Sequence, residues 1–303
     1  MTRATLLVAL VWCGCQTSRP DVSPSALVAP VETASRTQVM ADVAALADDA
    51  FLGREAGTTG GHLAARYVER RFAEIGLEGA FQTGYRQPVA LPTGGEGTNL
   101  VGRILGSVYP QQAIVVTAHF DHLGVRSGQV YNGADDNASG VAAMLAVAEH
   151  YAETTPAHTI LFAALDAEEA GLAGAQTMVT SPPVPLGAVL AVVNLDMVSR
   201  GELWAAGTTH YPHLRPILQG LDLEFGRDTG TGASNWTGAS GHAVFHRRGV
   251  PFVYFGVDGH SDYHEPTDDV ERIDPAVFGA AVDTILEAVE RIDQSHAALV
   301  VGR

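Results

Sequence analysis

Two imidazoles and three carboxylates stand far apart along this chain, at His119, Asp135, Glu169, Asp196 and His264. Together they could grip metal ions, and four of them follow closely on apolar runs. Ala113-Ile-Val-Val-Thr-Ala118 leads into His119, Ile160-Leu-Phe-Ala-Ala-Leu165 into Asp166-Ala-Glu168-Glu169, and Val189-Leu-Ala-Val-Val193 into Asn194-Leu-Asp196. Pro251-Phe-Val-Tyr-Phe255 reaches Tyr263-His264 after a short loop. If the runs are strands of an open parallel sheet, these side chains meet at one edge, because ligands gather at the carboxyl ends of such strands. Imidazole and carboxylate together are the donor chemistry of zinc. The expected chemistry is hydrolysis assisted by two zinc ions.

Each segment has a plainer reading when taken alone. In Ala118-His119-Phe120-Asp121-His122 the pair could be a polar loop, or Asp121 could accept the free N–H of a metal-bound His119 and fix its tautomer. Asn132-Gly133-Ala134-Asp135-Asp136-Asn137 could be a capped turn before the helix expected over Ser139 to Tyr151, but it carries more acceptors than one cap uses. The Glu168-Glu169 pair comes directly off a strand and is followed by small residues. One glutamate can coordinate while the other serves as general base. Asp196 could cap a turn. The loop Asp262-Tyr263-His264-Glu265-Pro266-Thr267-Asp268 is unusually polar for a connection. His122, His242 and His260 are candidates to line a pocket.

The elements that would position these residues have readable periods. Ala64, Val68, Phe72 and Ile75 recur at helical spacing with Arg66, Glu69, Arg70 and Glu74 outward, and Gly76 ends that helix. The helical pattern extends over Thr37 to Leu77. Leu100 to Leu105 and Ala113 to Ala118 read as strands, and Phe278, Val282, Ile285, Val289 and Ile292 as a closing helix. Strands alternating with helices, most strands uninterrupted by polar residues, imply a single α/β domain with a mainly parallel twisted sheet covered on both faces.

At 303 residues, the net charge of −16 argues against nucleic acid as a partner, which requires a basic face. Arg3, the apolar Ala4 to Trp12 and Gly14-Cys15 read as a cleaved export signal over residues 1–15, too short to span a bilayer as a helix. Gly before Cys resembles a bacterial lipoprotein cleavage site, with Cys15 as the lipidated residue. Residues 16–36 read as a flexible tether and 37–303 as the folded body. The two cysteines are Cys13 and Cys15, so the body has no disulfide and no thiolate ligand. The address expected is outside the cytoplasm of a bacterial cell: a periplasmic or outer-membrane lipoprotein, or a secreted protein.

The segments Ala118-His-Phe-Asp-His-Leu-Gly124, Asn132-Gly-Ala-Asp-Asp-Asn-Ala-Ser-Gly140, Asp166-Ala-Glu-Glu-Ala-Gly171, Asn194-Leu-Asp-Met197 and Asp262-Tyr-His-Glu-Pro-Thr-Asp268 occur in the order that resembles the co-catalytic di-zinc exopeptidases. That family, peptidase family M28, is typified by aminopeptidase S and bacterial leucyl aminopeptidase. The resemblance runs over about residues 45 to 290 and implies the zinc-exopeptidase (phosphorylase/hydrolase-like) fold. It implies two Zn2+ ions per chain, with Asp135 bridging both, His119 and Asp196 completing one site, and Glu169 and His264 the other. Glu168 becomes the general base acting on a hydroxide shared by the ions, Tyr263 the residue that steadies the oxyanion, and the Asp135–Asp136 bond a cis peptide. The implied substrate is a peptide with a free N-terminus, cleaved by a monomeric aminopeptidase. The same scaffold also supports a mono-zinc glutaminyl cyclase and a non-catalytic binding protein. One departure stands out: Ser240-Gly241-His242 has glycine where the family commonly has aspartate.

Overall fold

The structure, a computed structural model, describes Met1 and residues 33–231 and 235–302. The expected signal segment, the lipidation site at Cys15 and nearly all of the tether lie outside the described residues. The first helix, α1, spans Thr33–Leu46 and so begins four residues inside the segment expected as tether. Among the described residues, no helix is long and apolar enough to cross a membrane.

The strands are β1 (Glu78–Gly79), β2 (Arg86–Ala90), β3 (Glu96–Ile104), β4 (Tyr109–His119), β5 (Gly124–Arg126), β6 (Gln129–Tyr131), β7 (His158–Leu165), β8 (Val189–Leu195), β9 (Trp204–Ala206), β10 (Glu224–Phe225) and β11 (Phe252–Gly256). Nine of them form one sheet in the order β1-β3-β7-β4-β8-β11-β9-β10, with β2 also on β3, while β5 and β6 make a separate hairpin. The four central strands β7, β4, β8 and β11 are parallel, and the antiparallel pairings lie toward the flanks.

Every residue of β7, β8 and β11 is buried. Burial on both faces explains why these strands read as unbroken apolar runs. The two-residue period then sorts them into two layers. Ile114, Val116, Ile160, Phe162, Val193 and Phe255 pack on one side, in the layer that also holds buried residues of α1, α2 (Thr59–Ile75), α3 (Gly140–Glu153) and α7 (Pro275–Gln294). Val115, Leu161, Val192, Phe252 and Tyr254 pack on the other, with buried residues of α4 (Ala173–Thr180) and α6 (His242–His246). Short helices α5 (Arg215–Leu218) and α8 (His296–Val301) complete the set.

The register aligns the strand ends. His119 pairs with Leu165, Thr117 with Asn194, and Phe255 with Leu195, so the segments after β4, β7, β8 and β11 leave the sheet at one edge. Local signals bound the helices. Thr58 caps α2 by accepting from the Gly61 amide, and Gly76 closes it at φ 87° in the left-handed region that glycine adopts without a Cβ penalty. Asp274 caps α7 with Pro275 in its first turn.

The continuous helical pattern expected from Thr37 to Leu77 is broken. Between α1 and α2 the chain makes a tight turn over Asp49–Arg54, in which Leu52, Gly53 and Arg54 have φ of 50°, 64° and 52°. A Cβ at Gly53 would lie 2.5 Å from the Gly124 carbonyl oxygen and 2.6 Å from that of Tyr131. The turn is wedged against the hairpin that separates the His119 and Asp135 segments.

Candidate metal centre

The strand ends bring His119, Glu169, Asp196 and His264 together, with Glu168 among them. Ligating atoms of His119, Glu168 and Asp196 lie within 4.8 Å of one another, and so do those of His122, Asp136 and Glu169. His264 reaches the second group from the loop after β11, its Nε2 3.1 Å from Asp136 Oδ2 and 3.4 Å from Glu169 Oε1.

Asp135 does not join them. Its Oδ1 accepts from the Ser199 amide at 2.9 Å, the Ser199 hydroxyl at 2.6 Å and the Ser139 hydroxyl at 3.2 Å, while Oδ2 lies 3.0 Å from His260 Nε2. The carboxylate between the two groups belongs to Asp136, with Oδ1 3.4 Å from His119 Nε2 and Oδ2 on His264. The expected bridging position therefore moves one residue along. So does the cis peptide, which joins Asp136 to Asn137. The local chain explains the divergence of the two acids. Asn137 is tied to the Leu195 carbonyl at 3.0 Å and receives the amides of Gly140 and Met197 at 3.0 and 3.1 Å. Asp268 accepts the amides of both Asp135 and Asp136. With the backbone held on both sides, successive side chains leave it in different directions.

Asp121 stands beside His119 as expected and also serves a second pair of groups. Its carboxylate accepts the amides of Glu168 at 2.9 Å and Glu169 at 3.2 Å, so it orients the glutamate pair. Its Oδ1 stands 3.7 Å from His119 Nδ1, whereas the Asp121 carbonyl is nearer at 3.2 Å. The main chain supplies the closer partner of that imidazole.

Electrostatics follow from packing acids into a poorly solvated place. Burial opposes charging His119, yet Asp196, Glu168, Asp121 and Asp136 overcome it and hold its pKa well above the usual imidazole value. Hydrogen bonds to Asp136 and Glu169 raise His264 to about 10. Burial alone would raise Asp136 and Glu169, but their imidazole partners hold both below the ordinary carboxylate range. Glu168 behaves oppositely: burial pushes it well above that range, and among its neighbours His119 opposes the rise while Asp196, Asp121 and Glu169 add to it. A cluster of buried carboxylates demands compensating positive charge. Nitrogen and oxygen donors from histidine, aspartate and glutamate make a set that divalent zinc satisfies.

The cluster floors a cavity of about 630 Å3 whose apolar wall includes Met197, Trp236, Tyr254 and Val257. Tyr263 stands at the rim, 45% exposed, its ring stacked on His264 at 3.9 Å. Tyr254 was invisible as a site residue because it sits in an apolar strand. Its hydroxyl donates to the Asp196 carbonyl at 3.4 Å.

None of the three expected pocket histidines opens onto this cavity wall. His122 is buried beneath it, with Nδ1 3.0 Å from Glu169 Oε1. His242 is buried against Phe252 and Tyr254, bonds the Trp236 carbonyl, and is lowered by burial to about 3. His260 links Asp135 to Arg200. Gly241 borders a narrow recess behind His119 and Glu168, where a Cβ would come 3.2 Å from Leu165 Cδ1.

The profile of peptidase family M28 matches residues 99–289, from β3 through most of α7. The chain belongs to peptidase family M28. A probable zinc metalloprotease of Pyrenophora tritici-repentis is 33% identical over 129 residues, covering 42% of this chain and 30% of that relative, so this chain spans under a third of its length. The M28 fold also matches solved structures. The zinc aminopeptidase BSAP of Bacillus subtilis superposes with a TM-score of 0.67 at 17% identity, covering 84% of this chain and 94% of the other. A glutaminyl cyclase of Bacteroides thetaiotaomicron gives 0.64 at 18% identity, covering 84% and 96%. At such identities the likeness is one of fold, the zinc-exopeptidase arrangement of a mostly parallel central sheet and flanking helices.

Proposed function

We propose that this M28 chain is a zinc-dependent aminopeptidase that removes N-terminal residues from peptides and holds two ions. The observation that carries the proposal is Asp136, whose two oxygens face His119 on one side and His264 on the other. His119, Asp136 and Asp196 would hold one ion, and Asp136, Glu169 and His264 the other. His122 would keep Glu169 in place by donating its Nδ1 proton to Oε1. Bound zinc would polarise the scissile carbonyl and make a water acidic enough to deprotonate near neutral pH.

The remaining work falls to side chains. Glu168 lies with its carboxylate beside the ligating atoms of His119 and Asp196, which places it to take a proton from the attacking water and return it to the leaving amine. The Tyr263 hydroxyl, at the rim beside His264, donates to the oxyanion as the carbonyl becomes tetrahedral. Acidic oxygens of the cluster attract the free α-ammonium group and so select a chain end. Met197, Trp236, Tyr254 and Val257 offer the terminal side chain an apolar wall. Export, with lipidation at Cys15 anchoring a monomer to a bacterial membrane, completes the proposal, and mass spectrometry of the mature N-terminus tests it.

The glutaminyl cyclase among the structural neighbours defines the second reading, intramolecular attack by an N-terminal glutamine amine with one zinc. Metal analysis combined with a panel of aminoacyl chromogenic substrates, with and without chelator, separates the two. About two ions per chain and chelator-sensitive release of apolar residues support the aminopeptidase. One ion with cyclisation of N-terminal glutamine overturns it.

A further inference from the structure

Arg54 is completely buried, and among the described residues no carboxylate forms an ion pair with it. Its Nε donates to the Phe120 carbonyl at 2.8 Å, one terminal nitrogen to the carbonyls of Leu46 at 2.7 Å and Asn132, and the other to those of Gly133 at 2.9 Å and Asp136 at 3.5 Å. A guanidinium has five N–H groups in a rigid fork. Here all of them are directed at main-chain oxygens. Four of those oxygens belong to the two segments that carry His119 and Asp136, which are also joined by the Asn137 side-chain amide donating to the His119 carbonyl at 3.3 Å and through the β5–β6 hairpin. The charge also lies close to Asp136, Asp268, Asp121 and Glu169, which favour it, while burial draws its pKa down only to about 10.

The backbone is shaped to deliver this side chain. Arg54 takes φ 52° in a region unfavourable for any residue with a Cβ, after Leu52 and Gly53 do the same. A second buried arginine makes the contrast. Arg71 pairs with Asp42, Glu74 and Glu149, and its partners lie between helices rather than at the strand ends.

We propose that Arg54 is a positioning residue of the metal centre, clamping the segment after His119 to the segment ending on Asp136 and so setting the distance between those two ligands. This rests on the metal-binding reading above. Groups that orient ligands from behind are worth roughly 10- to 100-fold in metal affinity. Lysine keeps the charge but brings three donors from a single point, too few for five carbonyls.

The test uses the full chain with Arg54→Lys and Arg54→Gln, and Arg71→Lys as a control for loss of a buried arginine elsewhere. Zinc affinity is measured by competition with a chelating dye, and thermal stability on the metal-free form. The expected result is zinc binding weakened 10- to 100-fold in Arg54→Lys, further in Arg54→Gln, and unchanged in Arg71→Lys even where the metal-free proteins are equally destabilised. Unchanged zinc affinity in the Arg54 variants overturns the proposal, as does an equal loss in Arg71→Lys. If neither Arg54 variant folds while Arg71→Lys does, Arg54 is a requirement of the fold and the proposal also fails. A parent protein that binds no zinc refutes the functional reading itself, a result distinct from all of these.

Discussion

Replacing Asp135 and Asp136 separately by alanine should have opposite effects on zinc content, although the residues are neighbours. Asp135 is a buried acceptor for the Ser199 amide and hydroxyl, the Ser139 hydroxyl and His260. Removing it leaves a buried amide and an imidazole without their partner, a loss of about 3–5 kcal/mol by analogy with other broken buried charge contacts. For a domain of this size that lowers the melting temperature by roughly 10 °C. The ligating atoms remain, so Asp135→Ala should still bind close to two zinc ions. Asp136 has imidazole partners but also crowds Glu169 and Asp196, whose pKa values it helps to raise. Its loss from the metal-free protein removes the contacts to His119 and His264 that hold its pKa down, so this variant too should be less stable than the parent, and zinc content is what separates the two. Zinc content should fall below one ion per chain, since the residue serves both groups. Calorimetry of the metal-free proteins and elemental analysis after zinc loading read the two effects separately. Normal zinc in Asp136→Ala, or a metal-free but fully stable Asp135→Ala, would refute the reasoning.

Other expectations follow from single side chains. Glu168→Gln should keep its metal and lose about 10²- to 10⁴-fold in kcat; it should also lose the acidic limb of the rate profile, in which activity falls as Glu168 becomes protonated. Wild-type activity in that variant would remove Glu168 from the proton path. His242, lowered by burial to about 3, stays neutral in the fold while the unfolded chain protonates near 6.5, so its contribution is present above pH 6.5 and is lost as pH falls toward 3. Between pH 7 and 5 this amounts to about 2 kcal/mol, and denaturant titrations should show a shallower slope in His242→Gln; identical slopes would contradict it. Trp236→Ala removes part of the apolar wall and should raise KM for substrates with large apolar N-terminal residues about tenfold while leaving alanyl substrates nearly unchanged. Equal effects on both classes would place the side-chain pocket elsewhere.

Much of the frame was legible because burial on two faces leaves a plain trace. The runs ending at His119, Leu165 and Leu195 are largely apolar because from Ala113, His158 and Val189 onward neither face meets water, and their register carries the following polar residues to one edge. Gly76 and the Ala64–Ile75 stripe marked α2 for equally local reasons. What escaped depends on direction. Asp135 and Asp136 are indistinguishable as letters, and only the backbone held by Asn137 and Asp268 decides which one faces the histidines. Arg54 lies inside the stretch Thr37 to Leu77 that reads as helical, and nothing in that pattern marks the turn at Leu52–Arg54 that drives it inward. Tyr254 looked like core because alternate residues of its strand are core, and its hydroxyl's place beside Asp196 comes from a partner strand. Asp121 was read as the partner of its near neighbour His119, while its stronger contacts are to amides 47 and 48 residues away.

The claim on which the account turns is that Asp136 is shared by two ions. Anomalous diffraction at the zinc absorption edge from zinc-loaded crystals addresses it directly. Two peaks roughly 3.5–4 Å apart are expected, one among His119, Asp136 and Asp196 and the other among Asp136, Glu169 and His264. A single peak, or a pair in contact with Asp135 and not with Asp136, would contradict it.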